Sequence, residues 1–213
     1  MQFQRKIHGK PKSRVAVLFP HWKSRPFMYA HLIRVLSKHV QVLEYHYTPD
    51  ILTSDVEQTI QNFQQIGEDA VQWIGSLKHR SVGVLGFSIG SFLAFQLAAR
   101  SSSVNKVIAV TACDSFTDFF WDGNATRKMK AELQSKGYDK KRLDKEWHVL
   151  SPQPISKKTL LFLAAKDKTI PIESGKRLLN RLKNTEVRIV DRSHAGIISC
   201  LLMKVAPLKE FLT

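Results

Sequence analysis

The chain has 213 residues, and 33 Lys and Arg set against 18 Asp and Glu leave a formal charge of +15. This is one domain's length, enough to bury roughly 70 to 75% of the unfolded surface without a metal or disulfide staple, and 43% hydrophobic with 24% charged residues excludes wholesale disorder and fibrous repeats. No run reaches the ~18 apolar residues of a transmembrane segment, and basic residues 1–10 have no apolar stretch behind them, so the expected compartment is the cytoplasm.

Taken in chain order, residues before Gly9 can supply one or two edge strands, and 15–19 form the first β-branched apolar run. A helical pattern over 26–37 leads to a second strand at 40–47. Ser54-Asp55-Val56-Glu57 has the spacing of a capping box, and Val56, Ile60, Phe63, Ala70 and Ile74 keep one face of the helix it opens. Strands follow at 82–87, 104–111, 159–165 and 186–190, most of them apolar on both faces as buried parallel strands are. Helices are expected at 89–100, at 172–182 and from Ala195 to a break at Pro207. Six central strands alternating with helices predict a single α/β domain over 1–213, its mostly parallel sheet covered on both faces.

Residues 112–154 break the alternation, with Phe116, Phe119, Phe120 and Trp121 followed by a charged stretch and a short amphipathic helix ending near Trp147. Such a long insertion inside a compact domain reads as a small cap or lid. Its cations, among them Arg127, Lys128, Lys130, Lys140, Lys141 and Arg142, alternate with Glu132, Asp139, Asp144 and Glu146 as on a solvated face. No nucleic-acid signature accompanies them, so specific nucleic-acid binding is not expected and only a weak attraction to anionic surfaces remains. Cys113 and Cys200 lack CxxC spacing and read as free core thiols.

Chemistry begins at Gly86-Phe87-Ser88-Ile89-Gly90, a Gly-x-Ser-x-Gly pattern at the junction of a predicted strand and a predicted helix. The placement carries more weight than the letters. A serine in a strained strand-to-helix turn needs glycines two residues to either side, where side chains would clash, and Gly90, Ala94 and Ala98 give the helix a narrow face against the sheet. With this motif the chain from about Arg14 to Phe211 resembles the α/β-hydrolase superfamily, which implies that fold, a cap inserted before the acid-bearing strand, and the order Ser, acid, His. Asp167, in Ala165-Lys166-Asp167-Lys168-Thr169-Ile170-Pro171 after a strand, and His194, in Asp191-Arg192-Ser193-His194-Ala195-Gly196 after the last, fill those positions. Asp114, after the preceding strand, is the competing acid, and Asp191 reads as surface. His8, His31, His39, His79 and His148 sit in polar or helical contexts where a solvated or packed imidazole suffices.

The resemblance further implies an oxyanion hole of two backbone N–H groups, from Ile89 and from Trp22 in Phe19-Pro20-His21-Trp22-Lys23. The family usually shows His-Gly there; Trp22 replaces the Gly and would wall or crowd the pocket, while His21 reads as a structural residue ordering the loop. Aromatic walls at Phe119 and Trp121 would favour short to medium acyl groups. The expected function is a serine hydrolase that cleaves a small-molecule carboxylic ester or thioester through an acyl-enzyme, with no metal and no cofactor. Acyl transfer or cofactor-free peroxidase chemistry on the same residues, and a catalytically silent basic binding protein, are the alternatives.

Overall fold

The computed structural model describes residues 1–77 and 80–213; His79 lies outside the described residues. Among the described residues, seven strands form one sheet: β1 (Phe3–His8), β2 (Arg14–Phe19), β3 (Gln41–Tyr47), β4 (Ser81–Phe87), β5 (Val104–Val110), β6 (Lys158–Ala164) and β7 (Thr185–Val190), in the spatial order β1-β3-β2-β4-β5-β6-β7. Every neighbouring pair is parallel except β1 with β3, so the predicted six-strand core gains a single antiparallel edge strand. Valine and leucine fill both faces of the central strands because each face is covered by helices.

On one face α1 (Ala30–Leu36), α8 (His194–Met203) and α9 (Ala206–Leu212) bury Leu32, Ile197 and Leu208 against Leu18, Phe87 and Val110. On the other, α2 (Val56–Ser76) and α3 (Ile89–Arg100) bury Phe63, Phe92 and Leu93 against Val17, Val84 and Val107. Parallel topology sends the C-terminal ends of β2, β4, β5, β6 and β7 to one edge, where their loops meet.

Four predicted helices need correction. The N-cap of α2 is Asp55, not Ser54: Asp55 is extended and its carboxylate accepts the Gln58 N–H at 2.9 Å. A carboxylate at that position also complements the helix dipole, while the Ser54 carbonyl accepts from Lys136 Nζ instead. The expected helices over 26–37 and 172–182 each contain one turn of tighter winding, Pro26–Tyr29 ahead of α1 and Leu179–Arg181 after α7 (Ile172–Leu178). Pro207 does not end the last helix. The chain breaks after Met203, and Pro207 occupies the first turn of α9, where its missing N–H costs nothing.

Between β5 and β6 lie α4 (Phe116–Asp122), α5 (Arg127–Ser135) and α6 (Lys140–Trp147), the last ending where its pattern predicted. Phe116, Phe120, Leu133, Leu143 and Trp147 are fully buried and continuous with the core under α2 and α3. Trp147 stands edge-on to Phe116 and Phe120, with centroids 5.2 and 4.7 Å away, and its indole N–H reaches the Val56 carbonyl at 3.2 Å. Cys113 is buried and Cys200 half-buried; both are free.

Trp147→Ala removes the ring that ties this segment to α2 and leaves a cavity. Urea titration is expected to show a loss of about 3–5 kcal/mol with an unchanged m-value, the cost typical of truncating a fully buried large aromatic.

Candidate active site

Ser88 sits between the last residue of β4 and the first of α3 with φ 52° and ψ −118°, a left-handed conformation rare for a residue with a side chain. Its surroundings fix it there. Its N–H donates to the Val110 carbonyl at 2.8 Å and its carbonyl accepts from the Ser91 N–H at 2.9 Å. The Ser91 hydroxyl in turn donates to the Gly86 carbonyl at 3.0 Å. A Cβ on Gly86 would lie 2.5 Å from the Ser91 Cα, and one on Gly90 would lie 2.3 Å from the Phe19 carbonyl oxygen. Both contacts are with backbone, which cannot swing aside, so the two flanking glycines are steric requirements of the turn.

Asp167 follows β6 with its carboxylate almost sealed from solvent. Oδ1 accepts the N–H groups of Thr169 and Ile170, both at 2.8 Å, and Oδ2 faces His194 Nδ1 at 2.7 Å. His194 is the first residue of α8, whose N-cap Ser193 accepts the Gly196 N–H at 3.2 Å and so sets the loop. His194 Nε2 lies 2.9 Å from Ser88 Oγ. A carboxylate only accepts, so Nδ1 carries the imidazole proton and Nε2 presents its lone pair to the serine hydroxyl. This arrangement can draw a proton from Ser88 while the carboxylate balances the resulting imidazolium.

Asp114, the competing acid, is engaged elsewhere. Arg177 donates to both of its oxygens, at 2.8 and 3.1 Å, and also reaches Asp118 at 2.9 Å. Asp191 is exposed and pairs with Lys166 at 2.8 Å, as the sequence indicated. Among the other histidines, His8 bonds Glu44, His148 the Lys145 carbonyl of the preceding α6, and His31 faces Arg34.

Ile89 opens α3, and its N–H belongs to the first turn, where helical amides lack intrahelical acceptors. Trp22 lies in a turn closed by Ser24 N–H to the His21 carbonyl at 3.2 Å. Its indole N–H donates to the Pro49 carbonyl at 2.7 Å, and Lys23 Nζ stands 4.0 Å above the ring. Phe119 is buried against Phe92 and Phe116, so it is core packing. Half-buried Trp121 lines a separate depression of about 460 Å³ with Asp122, Arg127 and Gln134, and no residue of the Ser88 cluster lines it.

One part of the site left no mark in the sequence pattern. Fully buried Tyr29 places its hydroxyl between the His21 backbone N–H, which it accepts at 3.0 Å, and His21 Nδ1, 2.7 Å away. Burial, and then the nearby His194, lower the His21 pKa to about 4. The Tyr47 hydroxyl donates to the neighbouring Pro20 carbonyl. Only helical spacing marks Tyr29 in the sequence, and nothing there pairs it with His21.

The family model described as Serine hydrolase (FSH1) matches residues 44–195, well over half the chain and all of Ser88, Asp167 and His194; the chain belongs to that family. Among solved structures it resembles a putative hydrolase from Agrobacterium vitis S4 (15% identity, 97% of this chain and 92% of that one, TM-score 0.69). It also resembles the type II thioesterase BorB from the borrelidin biosynthetic cluster (12%, 99% and 95%, 0.67) and the enol-lactonase from Burkholderia xenovorans LB400 (16%, 98% and 94%, 0.65). These likenesses identify the fold as that of the α/β-hydrolases. No curated protein sequence matches the chain.

A histidine with a folded pKa below its unfolded value is protonated preferentially in the unfolded state as pH falls, so stability is lost between about 6.5 and about 4 and levels off below that. Replacing His21 by Asn removes this contribution. Denaturant midpoints measured across that window are therefore expected to fall less steeply for His21→Asn than for the wild type, and equal slopes would refute the assignment.

Proposed function

We propose that this serine hydrolase cleaves a small carboxylic ester or thioester through an acyl-enzyme formed on Ser88. The observation that carries the proposal is the unbroken run from Ser88 Oγ through His194 to Asp167, at 2.9 and 2.7 Å, beginning at a serine held in a strained turn. Strain of this kind persists only where the surroundings over-determine it, and it concentrates where a side chain must be presented.

In this mechanism His194 takes the serine proton as Ser88 Oγ attacks the acyl carbon. The same proton then passes to the leaving alcohol or thiol. Water repeats the sequence from the other side: His194 accepts its proton, the hydroxide oxygen joins the acyl carbon, and the Ser88–acyl bond breaks. Asp167 holds the tautomer and offsets the imidazolium. The backbone N–H groups of Ile89 and Trp22 receive the tetrahedral oxyanion. Two of the structural neighbours are named a thioesterase and an enol-lactonase, which fits an ester or thioester substrate here. Helices α4 to α6 serve as the cap, and the site works in the cytoplasm on a freely diffusing substrate.

A fluorophosphonate probe is expected to label Ser88 and to leave Ser88→Ala unmodified and inactive against acyl esters and thioesters, with its melting profile retained. Asp167→Asn should cost on the order of 10⁴ in kcat, as when a triad Asp elsewhere becomes Asn, while Asp114→Asn leaves kcat within a few-fold. Retained labelling in Ser88→Ala, or the reverse order of the two aspartates, would refute these roles.

A further inference from the structure

The sheet has two outer edges, and they differ in what they offer a second copy of the chain. At β1, Gln4, Arg5, Lys6 and Ile7 are exposed, Ile7 as openly as Ile189 on β7, so what separates the two edges is charge: no acid precedes Glu44, and any self-pairing at β1 brings cations together. Same-sign charge is a common device for blunting an edge strand. At β7 the exposed residues are Glu186, Arg188 and Ile189, the last 55% accessible, a large β-branched side chain in water on an open edge.

The backbone sets the register in which β7 can pair. Thr159 and Ala165 of β6 donate to the carbonyls of Asn184 and Val190, so the even-numbered residues of β7 turn their polar groups toward β6. Those of Thr185, Val187 and Ile189 therefore point outward. In an antiparallel pair of two β7 strands about a two-fold axis at Val187, Val187 meets Val187 and Thr185 meets Ile189, each exchanging two N–H···O bonds. Glu186 then falls opposite Arg188 at both symmetry-related positions. These are the non-hydrogen-bonded sites, where facing side chains approach most closely. Glu186 and Arg188 already pair within one chain at 2.7 Å on the same face, so the two copies would assemble an alternating quartet of charges. Just past the strand ends, exposed Lys183 and Asp191 are related by the same two-fold.

We propose that the outer edge of β7 is a self-pairing seam through which two copies of this chain join antiparallel about Val187 into one continuous sheet. The interface is isologous, each copy supplying both the donor and the acceptor rows. A seam of one six-residue strand is smaller than a standard interface of about 1,200–2,000 Å², so the dimer is a weak one, with Kd of roughly 10–100 µM. It lies on the strand that leads to His194.

Sedimentation velocity on the full chain up to roughly 300 µM is expected to show reversible conversion from monomer to dimer. Glu186→Arg and Arg188→Glu alone each set like charges opposite at both positions and should weaken the dimer about tenfold or more. An equimolar mixture of the two variants should restore it, since the arginine introduced at position 186 of one then faces the glutamate introduced at position 188 of the other. The Glu186→Arg/Arg188→Glu double variant should dimerise like the wild type. A wild type that stays monomeric, or single variants that dimerise undiminished, would overturn the proposal; all four proteins differ only at exposed positions, so folding does not confound the comparison.

Discussion

The site rests on one close approach, that of the start of α3 to the end of β2. A Cβ on Gly90 would fall within 2.7 Å of the carbonyl oxygens of both Phe19 and Pro20, so helix and strand meet backbone to backbone with no side chain between them. This contact does two things at once. It turns the chain sharply enough at Ser88 to put φ at 52°, and it holds the loop that starts at Pro20 beside the N-terminus of the helix that starts at Ile89. The serine and the two backbone segments proposed to receive the oxyanion are therefore placed by the same steric constraint, and neither can shift without the other.

Around that contact, every polar group is held by a partner that leaves one valence free for the neighbour it must face. Asp167 spends one oxygen on two backbone N–H groups and keeps the other for His194. Ser193 satisfies the first turn of α8 and so fixes the backbone of His194. Parallel strand order makes this possible, because successive strand ends arrive at one edge although Ser88 and His194 are 106 residues apart. The strands are rigid where their valines and leucines are sealed on both faces, and the reacting groups sit one to four residues beyond them.

What was legible in the sequence follows the same physics. Buried parallel strands are apolar on both faces and bounded by polar turns, so β2 to β6 could be found to within a residue or so, as could β7 despite its exposed Glu186, Arg188 and Ile189, and the glycines around Ser88 stood out because only glycine fits there. Asp167 and His194, the proposed acid and base, were picked out through the chain order that the superfamily resemblance implies, each in a loop after a strand. Less could be read where the answer lies in a tertiary contact. Asp55 and Ser54 are both good caps, and only the backbone angle at Asp55 decides between them. Phe119 looked available as a pocket wall because aromatic residues near strand ends serve packing and recognition alike; its ring's neighbours, Phe92 on α3 and Phe116, come from distant parts of the pattern or from its own helix. Tyr29 was invisible for the same reason, since a tyrosine at helical spacing reads as core and its hydroxyl's partner depends on how the loop after β2 folds back.

The Tyr29–His21 pair also bears on the charge balance of the proposed mechanism. Acyl transfer makes one imidazolium at His194 and one oxyanion nearby, and Asp167 supplies the single fixed charge that answers the imidazolium. A second cation at His21 would repel the forming imidazolium and undo part of what Asp167 contributes. In a chain with 33 Lys and Arg, His21 is instead held neutral by burial and by the nearby His194, which lower its pKa to about 4. Burial of the loop that follows β2 thus keeps a second positive charge away from the proposed base through packing, not through a contact with Ser88 or Asp167.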